Sequence, residues 1–311
     1  MNRRYFIEKI SSFTIFGISI PFNNLNYNEK FKKITILHTN DVHSHIDPFP
    51  ANDPLNPNGG GVIAREKIFN RLKKENPNTL IFDAGDIFQG TPYFNFFGGE
   101  IELKLMSKLG YNAATLGNHE FDNGINKLSK TLNHANFSFL NSNYDLKNTP
   151  LESKIKKYEI YNIDDVKIGV FGLGIALDGL VEKKLYNDVK YLDPIEIAND
   201  ITKKLKNNYQ CDIIICLSNL GYKYDDKKEI CDLNLAKKTK NIDLIIGGHT
   251  HTFMNKPVQV TNLIGKNVLI NQVGCFGINI GKIEVTKYLH KCEFGKNISI
   301  NQNGKTPKFT Q

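Results

Sequence analysis

The chain lacks the features that mark several simple classes of protein. Its five cysteines are an odd number and give no paired disulfide framework, so we interpret all of them as small buried side chains. We find neither an internal repeat nor a linker between domains, and we expect no transmembrane span because the apolar runs are too short. These absences argue against a repeat protein, a protein with several membrane spans and a scaffold held by disulfides.

Positive charge is in excess but is not gathered on one face. The chain has 40 Lys and Arg against 32 Asp and Glu, a net charge of +8, and the lysines are scattered through predicted helices and loops. A nucleic-acid-binding module would need a cationic face with interleaved aromatic residues, or a recognised fold signature, and we see neither. The charge therefore predicts a solvated surface that weakly attracts phosphate substrates, and no nucleic-acid partner.

Residues 1–29 have the pattern of an export signal or a disordered leader. Arg3 and Arg4 precede Phe6 and Ile7, and a short, mostly apolar run then leads into a polar, Asn-rich segment. The paired arginines resemble the twin-arginine class of signals, which predicts export, to the periplasm, of an already folded protein. An ordinary first helix and an uncleaved anchor remain open as alternatives.

Five apolar runs share a pattern in which a predicted buried strand stops at residues that can bind a metal ion. The runs are 34–43 (ITILHTNDVH), 79–86 (TLIFDAGD), 113–120 (AATLGNHE), 212–219 (DIIICLSN) and 242–251 (IDLIIGGHTH). Continuous apolar runs are typical of strands covered on both faces, and ligands gather beyond the carboxyl ends of such strands. We therefore expect the five ends to meet at one place.

The side chains at these ends make a mixed set of oxygen and nitrogen donors. Each short motif is common by chance, but their joint occurrence at strand ends favours a metal site with room for two divalent cations. The candidate metal ligands are Asp41, His43, Asp86, Asn118, His249 and His251.

Alternating strand and helix patterns predict an α/β fold. Amphipathic helices are predicted at 62–75, 100–109, 123–135 and 193–208, with a further helix near 228–238 and a β-hairpin within 154–174. Only strand patterns follow Pro257. We expect two packed mixed sheets with helices outside both, the first built from the earlier strands and the second from the later ones. The predicted domain spans 30–289, and a polar C-terminal tail follows at 290–311.

The motifs HTNDVHSH, AGDIFQG, GNHEFDNG and GGHTHTF resemble those of the calcineurin-like metallophosphoesterases. In detail they are similar to the catalytic domain of bacterial periplasmic 5′-nucleotidases, over residues 34–288. The resemblance implies a four-layer α/β/β/α sandwich. It also implies that Asp41, His43 and His251 bind one ion, that Asn118 and His249 bind a second, and that Asp86 bridges both.

The resemblance further implies a reaction. Two divalent ions, among Mn, Zn, Mg, Ca or Fe, would activate a bridging hydroxide that removes phosphate from nucleotides or other small phosphate esters. His119 is then expected to stabilise the transferring phosphoryl group or the leaving oxygen, and Asp122 to orient its imidazole.

The chain departs from the family pattern at Asn219, where the resemblance implies a histidine ligand of the second ion. An amide oxygen is a weaker donor than imidazole for a zinc-like ion, so an active site with altered metal preference, a slower enzyme and a degenerate member all stay open.

A second departure is that only about twenty polar residues follow Tyr288, where two-domain nucleotidases carry a C-terminal domain that recognises the nucleoside. A separate polypeptide is one possible source of that domain, and the chain would then be its binding subunit. The segment TPYFNFFGG prompts this hypothesis, because Tyr93, Phe94, Phe96 and Phe97 would form an exposed apolar patch unless they pack in the core.

Overall fold

The computed structural model describes residues 32–226, 229–288, 291–294 and 298–301. The predicted export signal lies outside these residues. Within the described ranges no helix combines the length and the apolar character needed to cross a bilayer. Four of the five cysteines are described with their side chains, and all four are buried and free, as Cys211, Cys216, Cys231 and Cys275.

The described chain alternates strands with helices in the order that the sequence predicts. The strands are β1 (Lys32–Thr39), β2 (Thr79–Asp83), β3 (Ala113–Thr115), β4 (Ser138–Leu140), β5 (Tyr144–Asp145), β6 (Ile155–Lys156), β7 (Tyr158–Ile163), β8 (Val166–Gly174), β9 (Lys190–Tyr191), β10 (Ile213–Asn219), β11 (Leu244–Gly247), β12 (Val258–Thr261), β13 (Asn267–Asn271), β14 (Asn279–Tyr288), β15 (Lys291–Phe294) and β16 (Ile298–Asn301). The helices are α1 (Val62–Glu75), α2 (Pro92–Phe97), α3 (Glu100–Leu109), α4 (Ile125–Thr131), α5 (Lys183–Tyr186), α6 (Pro194–Asn207) and α7 (Asp232–Lys238).

Two large mixed sheets carry the fold. The first runs in the order β15-β14-β1-β2-β3-β4-β6, with β16 also paired to β14, and the second runs β12-β13-β11-β10-β8-β7. β1, β2 and β3 are parallel neighbours in the first sheet, as are β8, β10, β11 and β13 in the second. A small separate sheet pairs β5 with β9. The predicted α/β architecture of two mixed sheets is confirmed.

Three apolar layers show how the sheets and helices stack. Ile36 of β1 and Ile215 of β10 lie in one core between the two sheets. The next residue along β1, Leu37, lies in a second core with side chains of α1, α3 and α4. Ile214 of β10 lies in a third core with side chains of α6 and α7. Because successive strand residues point to opposite faces, each sheet is covered on both sides, and the layers run helix, sheet, sheet, helix.

The expectation that all later strands join the second sheet was wrong for β14. This strand returns to the first sheet, where it pairs antiparallel with β1 and sets Ile283 beside Ile36 and Val285 beside Ile34. Both β14 side chains are buried in the core between the sheets. The physical reason is that β14 closes the exposed edge of β1 and fills that core. The first sheet also continues past residue 289, since β15 and β16 pair with β14 where the sequence predicted a polar tail.

Candidate metal centre

The loops that follow β1 and β2 are joined by their backbones. The Asp41 N–H donates to the Gly85 carbonyl at 2.9 Å, and the His43 N–H donates to the Asp86 carbonyl at 3.1 Å. Because β1 and β2 are parallel neighbours, these bonds continue the strand pairing beyond the sheet. The result is a rigid platform at the carboxyl edge, from which the first three candidate ligands project.

Asp41, His43 and His251 form one compact group of donors. Their ligand atoms all lie within 4.8 Å of one another. His43 Nε2 is 2.9 Å from His251 Nε2, and His251 Nε2 is 3.8 Å from Asp41 Oδ1. Two imidazole nitrogens and one carboxylate that converge in this way can hold a divalent transition-metal ion.

Asp86 and His249 form a second group next to the first. Asp86 Oδ2 lies 3.7 Å from His249 Nδ1, and the other oxygen, Oδ1, accepts the backbone N–H of His119 at 3.0 Å. The His249 N–H donates to Asp41 Oδ1 at 2.7 Å, which ties the two groups together. Asp86 therefore lies among side chains from three different strand ends.

Two amide oxygens at the site are buried without a hydrogen-bond partner in the described residues. They are Oδ1 of Asn118 and Oδ1 of Asn219. A buried polar atom without a partner costs free energy, and an oxygen donor of this kind is one that a divalent cation accepts. The donors present therefore fit divalent cations. The structure brings the group of Asp41, His43 and His251 next to Asp86 and His249. Asn118 lies close to the same place, because the backbone N–H of the next residue, His119, bonds to Asp86 Oδ1.

The backbone of the site is unusual. Asp41, His43, Asp86, His249 and His251 all have positive φ, between 49° and 71°. This left-handed region is unfavourable for residues other than glycine and is occupied where the surrounding structure enforces it. Five of the six candidate ligands share the feature, so the fold maintains strained backbone at the place where the donor atoms converge.

The charges at the site favour bound cations. Burial and the nearby Asp86 carboxylate raise the pKa of Asp41 well above its ordinary value. Burial also acts to raise the pKa of Asp86, but His249, His43 and His119 outweigh it and hold that pKa below its usual range. Burial lowers the pKa of His43, and it lowers that of His251 to about 4, so both imidazoles are neutral near pH 7 and keep a lone pair for coordination.

His119 and Asp122 form a hydrogen-bonded pair on a 3₁₀ turn after β3. His119 Nδ1 lies 2.8 Å from Asp122 Oδ2, and this turn sets the two side chains three residues apart on one side. Burial lowers the pKa of His119, but the bond to Asp122 and the charge of Asp86 outweigh it and raise the pKa to about 9. The ring is therefore cationic at neutral pH, with Nδ1 engaged by Asp122.

Glu120 is a site residue that our sequence analysis missed. Its buried carboxylate accepts the backbone N–H groups of Gly117 at 2.6 Å, Asp86 at 3.0 Å, Ile87 at 2.8 Å and Phe88 at 3.4 Å. These bonds shape the turn that carries Asp86. The available signal was a charged residue inside the GNHE motif, directly after His119.

Asn40 and Gln272 were also missed, and both join loops of the site. The Asn40 amide donates to Asp41 Oδ2 at 2.6 Å and to the Gly274 carbonyl at 2.6 Å. Gln272 donates to the Gly248 carbonyl at 2.6 Å and accepts from the Thr252 N–H. Nothing in the sequence marked these two amides, since the loops that they join are distant along the chain.

The aromatic residues of the TPYFNFFGG segment are partly buried in the core and partly exposed, so each of the two interpretations holds for some of them. Phe94 is buried in the core, whereas Phe96 is 82% exposed and Phe97 is 52% exposed. The Tyr93 hydroxyl donates to Asp47 Oδ2 at 2.7 Å. The segment forms the short helix α2, whose outer side presents two phenylalanine rings to solvent.

Comparisons with known proteins agree with this geometry. The chain is 31% identical over 284 residues to the trifunctional nucleotide phosphoesterase protein YfkN of Bacillus subtilis, a match covering 81% of this chain and 18% of that protein. It is 33% identical to a snake venom 5′-nucleotidase of Crotalus adamanteus, covering 81% of this chain and 45% of the relative. The chain thus spans less than half the length of either relative.

A solved structure shares the fold. The 5′-nucleotidase precursor of Thermus thermophilus superposes with a TM-score of 0.76 at 31% identity, covering 87% of this chain and 54% of the other. The family model for calcineurin-like phosphoesterases matches residues 34–253, a range that contains all six candidate metal ligands. The chain therefore belongs to the calcineurin-like phosphoesterase family.

Proposed function

We propose that this chain is a metal-dependent phosphoester hydrolase with a two-cation centre. The observation that carries the proposal is the convergence of Asp41, His43 and His251 beside Asp86 and His249 at the carboxyl ends of strands from both sheets. Relatives described as a nucleotide phosphoesterase and as 5′-nucleotidases support the same chemistry.

In this proposal Asp41, His43 and His251 hold one cation, Asn118 and His249 hold the other, and Asp86 serves both. Bound divalent cations supply Lewis acidity toward a phosphoryl group. The buried carboxylates and neutral imidazoles of the chain are suited to hold such ions, because the carboxylates offer negative charge and the imidazoles offer free lone pairs.

His119 is proposed to act on the substrate directly. Asp122 engages Nδ1, which leaves Nε2 to donate a hydrogen bond to the phosphoryl oxygens or a proton to the leaving oxygen. The hydrogen bond to Asp122 favours the protonated ring, which is the form that can donate. The role of Asp122 is to fix the ring orientation and to stabilise its positive charge.

The proposed substrates are nucleotides or other small phosphate esters. The relatives named as nucleotidases motivate the nucleotide, and the excess of positive charge on the chain favours an anionic substrate. We further propose export to the periplasm, which rests on the paired arginines and the apolar run within residues 1–29.

A second candidate is that the chain is a catalytically weak subunit for a separate protein with a nucleotidase C-terminal domain. The exposure of Phe96 and Phe97 on α2 is the observation behind it, because exposed apolar surface can serve as a contact site. The relatives described as nucleotidases favour the main proposal over this candidate. A tagged copy that brings down no such protein from its native host, under mild conditions, contradicts this candidate.

Hydrolysis of a chromogenic phosphoester and of AMP, with Mn²⁺, Zn²⁺, Mg²⁺ or Ca²⁺ added to the purified protein, tests the main proposal. His119→Ala should lower the rate by about 10²- to 10⁴-fold, because it removes the proton donor. His134→Ala is the matched control, since this half-exposed histidine pairs with Glu100 away from the site and should leave the rate unchanged. No turnover with any of the four cations contradicts the proposal.

A further inference from the structure

Asn219 is the last residue of β10, and its side chain lies at the proposed metal centre. Its side chain is fully buried. The preceding residue, Ser218, points to the opposite face, where its hydroxyl donates to Asp232 Oδ1 at 2.5 Å. The alternation of the strand therefore directs Asn219 toward the space between the two sheets, at the carboxyl edge where the candidate ligands lie.

One hydrogen bond fixes which way the Asn219 amide points. Nδ2 donates to the Ala84 carbonyl at 2.9 Å. If the amide were rotated by half a turn, Oδ1 would face the Ala84 oxygen, and two acceptors would be brought together. Oδ1 must therefore face away from Ala84.

The Asn219 oxygen lies beside Asp86. A Cβ added at Gly117 would stand 2.7 Å from Asn219 Oδ1 and too close to Asp86 Oδ1, so both oxygens border the same small space. Among the residues that the structure describes, Oδ1 of Asn219 has no hydrogen-bond partner. On the other side of the amide lies Gly248. A Cβ added there would stand only 3.0 Å from Asn219 Nδ2, so the absence of a side chain at this position leaves room for the amide. Glycine at both positions keeps the space around the amide open.

We infer that Asn219 Oδ1 is a ligand of the second cation and that it shifts the preference of this position away from Zn²⁺ and toward hard cations such as Mn²⁺ and Mg²⁺, relative to the first position. The inference rests on the proposed function, because it assigns the ion preference of the same centre. An oriented, buried amide oxygen without a partner, next to a carboxylate, is a donor that only a cation or an N–H or O–H group satisfies.

The donors then differ between the two ions. The first ion has two imidazoles, from His43 and His251, with the carboxylate of Asp41 and the shared carboxylate of Asp86. The second has the oxygens of Asn118, Asn219 and Asp86 with the single imidazole of His249. Amide and carboxylate oxygens suit Mg²⁺ and Mn²⁺, whereas imidazole suits zinc-like ions, so the preference for Zn²⁺ over Mn²⁺ should be weaker at the second position. Exchange of Asn219 for histidine should make the second position more like the first.

The test measures ion binding rather than turnover. Protein stripped with a chelator is titrated calorimetrically with Mn²⁺ alone and with Zn²⁺ alone, and the electron paramagnetic resonance spectrum of the Mn²⁺ form reports whether two ions are coupled. The wild-type protein should bind two Mn²⁺. Asn219→Leu should weaken one of the two Mn²⁺ affinities by about 10- to 100-fold and remove the coupled spectrum. Asn219→His should instead raise the affinity of one position for Zn²⁺ relative to Mn²⁺ by about 10-fold or more.

Asn271→Leu is the matched control. Asn271 is also a fully buried residue of the second sheet, and its Oδ1 has no hydrogen-bond partner within the described part of the chain. Its amide nitrogen lies 2.8 Å from the His38 ring, outside the site. It should disturb packing to a similar degree and leave both Mn²⁺ affinities unchanged.

Two Mn²⁺ ions bound by Asn219→Leu with wild-type affinity would overturn the inference. If Asn219→Leu does not fold, unchanged Zn²⁺ to Mn²⁺ preference in Asn219→His overturns it equally. A wild-type protein that binds no divalent ion would overturn the proposed function as well. Wild-type binding of two ions with no effect at Asn219 overturns only the inference.

Discussion

Replacement of Glu120 by glutamine tests whether the carboxylate holds the turn that carries Asp86. Each Glu120 oxygen accepts two backbone N–H groups, Oε1 from Ile87 and Phe88 and Oε2 from Asp86 and Gly117. Burial and the charge of Asp86 raise the pKa of Glu120, but both oxygens are engaged as acceptors and neither is free to carry a proton. We therefore treat the side chain as an ionised acceptor of four bonds.

The size of the effect follows from those bonds. In Glu120→Gln one oxygen becomes an NH₂ group that faces two N–H donors, so two buried backbone donors lose their acceptor. A buried donor without a partner costs about 1–3 kcal/mol, which gives a loss of about 2–6 kcal/mol in the free energy of unfolding. For domains of roughly this size, about 1 kcal/mol lowers Tm by about 2–4 °C. Domains are stable by about 5–15 kcal/mol, so a loss near the middle of the range of about 2–6 kcal/mol leaves the variant folded at 25 °C.

Urea unfolding followed by circular dichroism measures the change, since the chain contains no tryptophan to report by fluorescence. Glu152→Gln is the control, because the exposed Glu152 accepts the Asn148 N–H at 3.0 Å and its replacement should cost under about 0.5 kcal/mol. A loss in Glu120→Gln as small as in this control would refute the reasoning, since it would mean that Glu120 already carries a proton or that its donors have other acceptors.

Three further predictions concern the proposed centre. Asp122→Asn should lower the pKa of His119 from about 9, because the neutral amide no longer stabilises the imidazolium. The alkaline limb of the pH–rate profile, where the ring loses its proton, should then move to lower pH, and an unmoved limb would argue against a role for the ring as acid. Gly117→Ala should reduce the number of Mn²⁺ ions bound, measured by elemental analysis, because the added Cβ enters the space beside Asp86 Oδ1. Chelation of divalent ions should lower Tm in a thermal scan with and without Mn²⁺, because the buried carboxylates of Asp41 and Asp86 then lose the cations that offset their charge. Mn²⁺ at a free concentration of 100 Kd stabilises the folded state by about 2.7 kcal/mol. An unchanged Tm would contradict cation binding.

Much of the fold could be read from periodicity. The helix predicted at 62–75 is α1, the helix at 100–109 is α3, and the two runs of the predicted hairpin are β7 and β8, paired antiparallel. Each of these depends on neighbours in sequence, on amphipathic spacing or on a short turn. The partner of β14 depends on which sheet edge is open, and no local pattern carries that information.

The positions of the donor residues were also readable, because each lies directly after an apolar strand. Their division into groups was implied only by family resemblance. The supports of the site were not readable: Asn40 reaches Gly274 across more than two hundred residues, and Glu120 braces a turn more than thirty residues earlier. Such contacts exist only after the strands have been placed side by side.

The sequence by itself determined the α/β class, the five strand ends and the chemical identity of the candidate donors, because these depend on local periodicity and on residue type. The tertiary structure alone decided which donors lie within bonding distance, which backbone stays in the left-handed region and which way the Asn219 amide points. The reason is physical: the direction of an amide and the pKa of a carboxyl depend on neighbours that the fold brings together from distant parts of the chain.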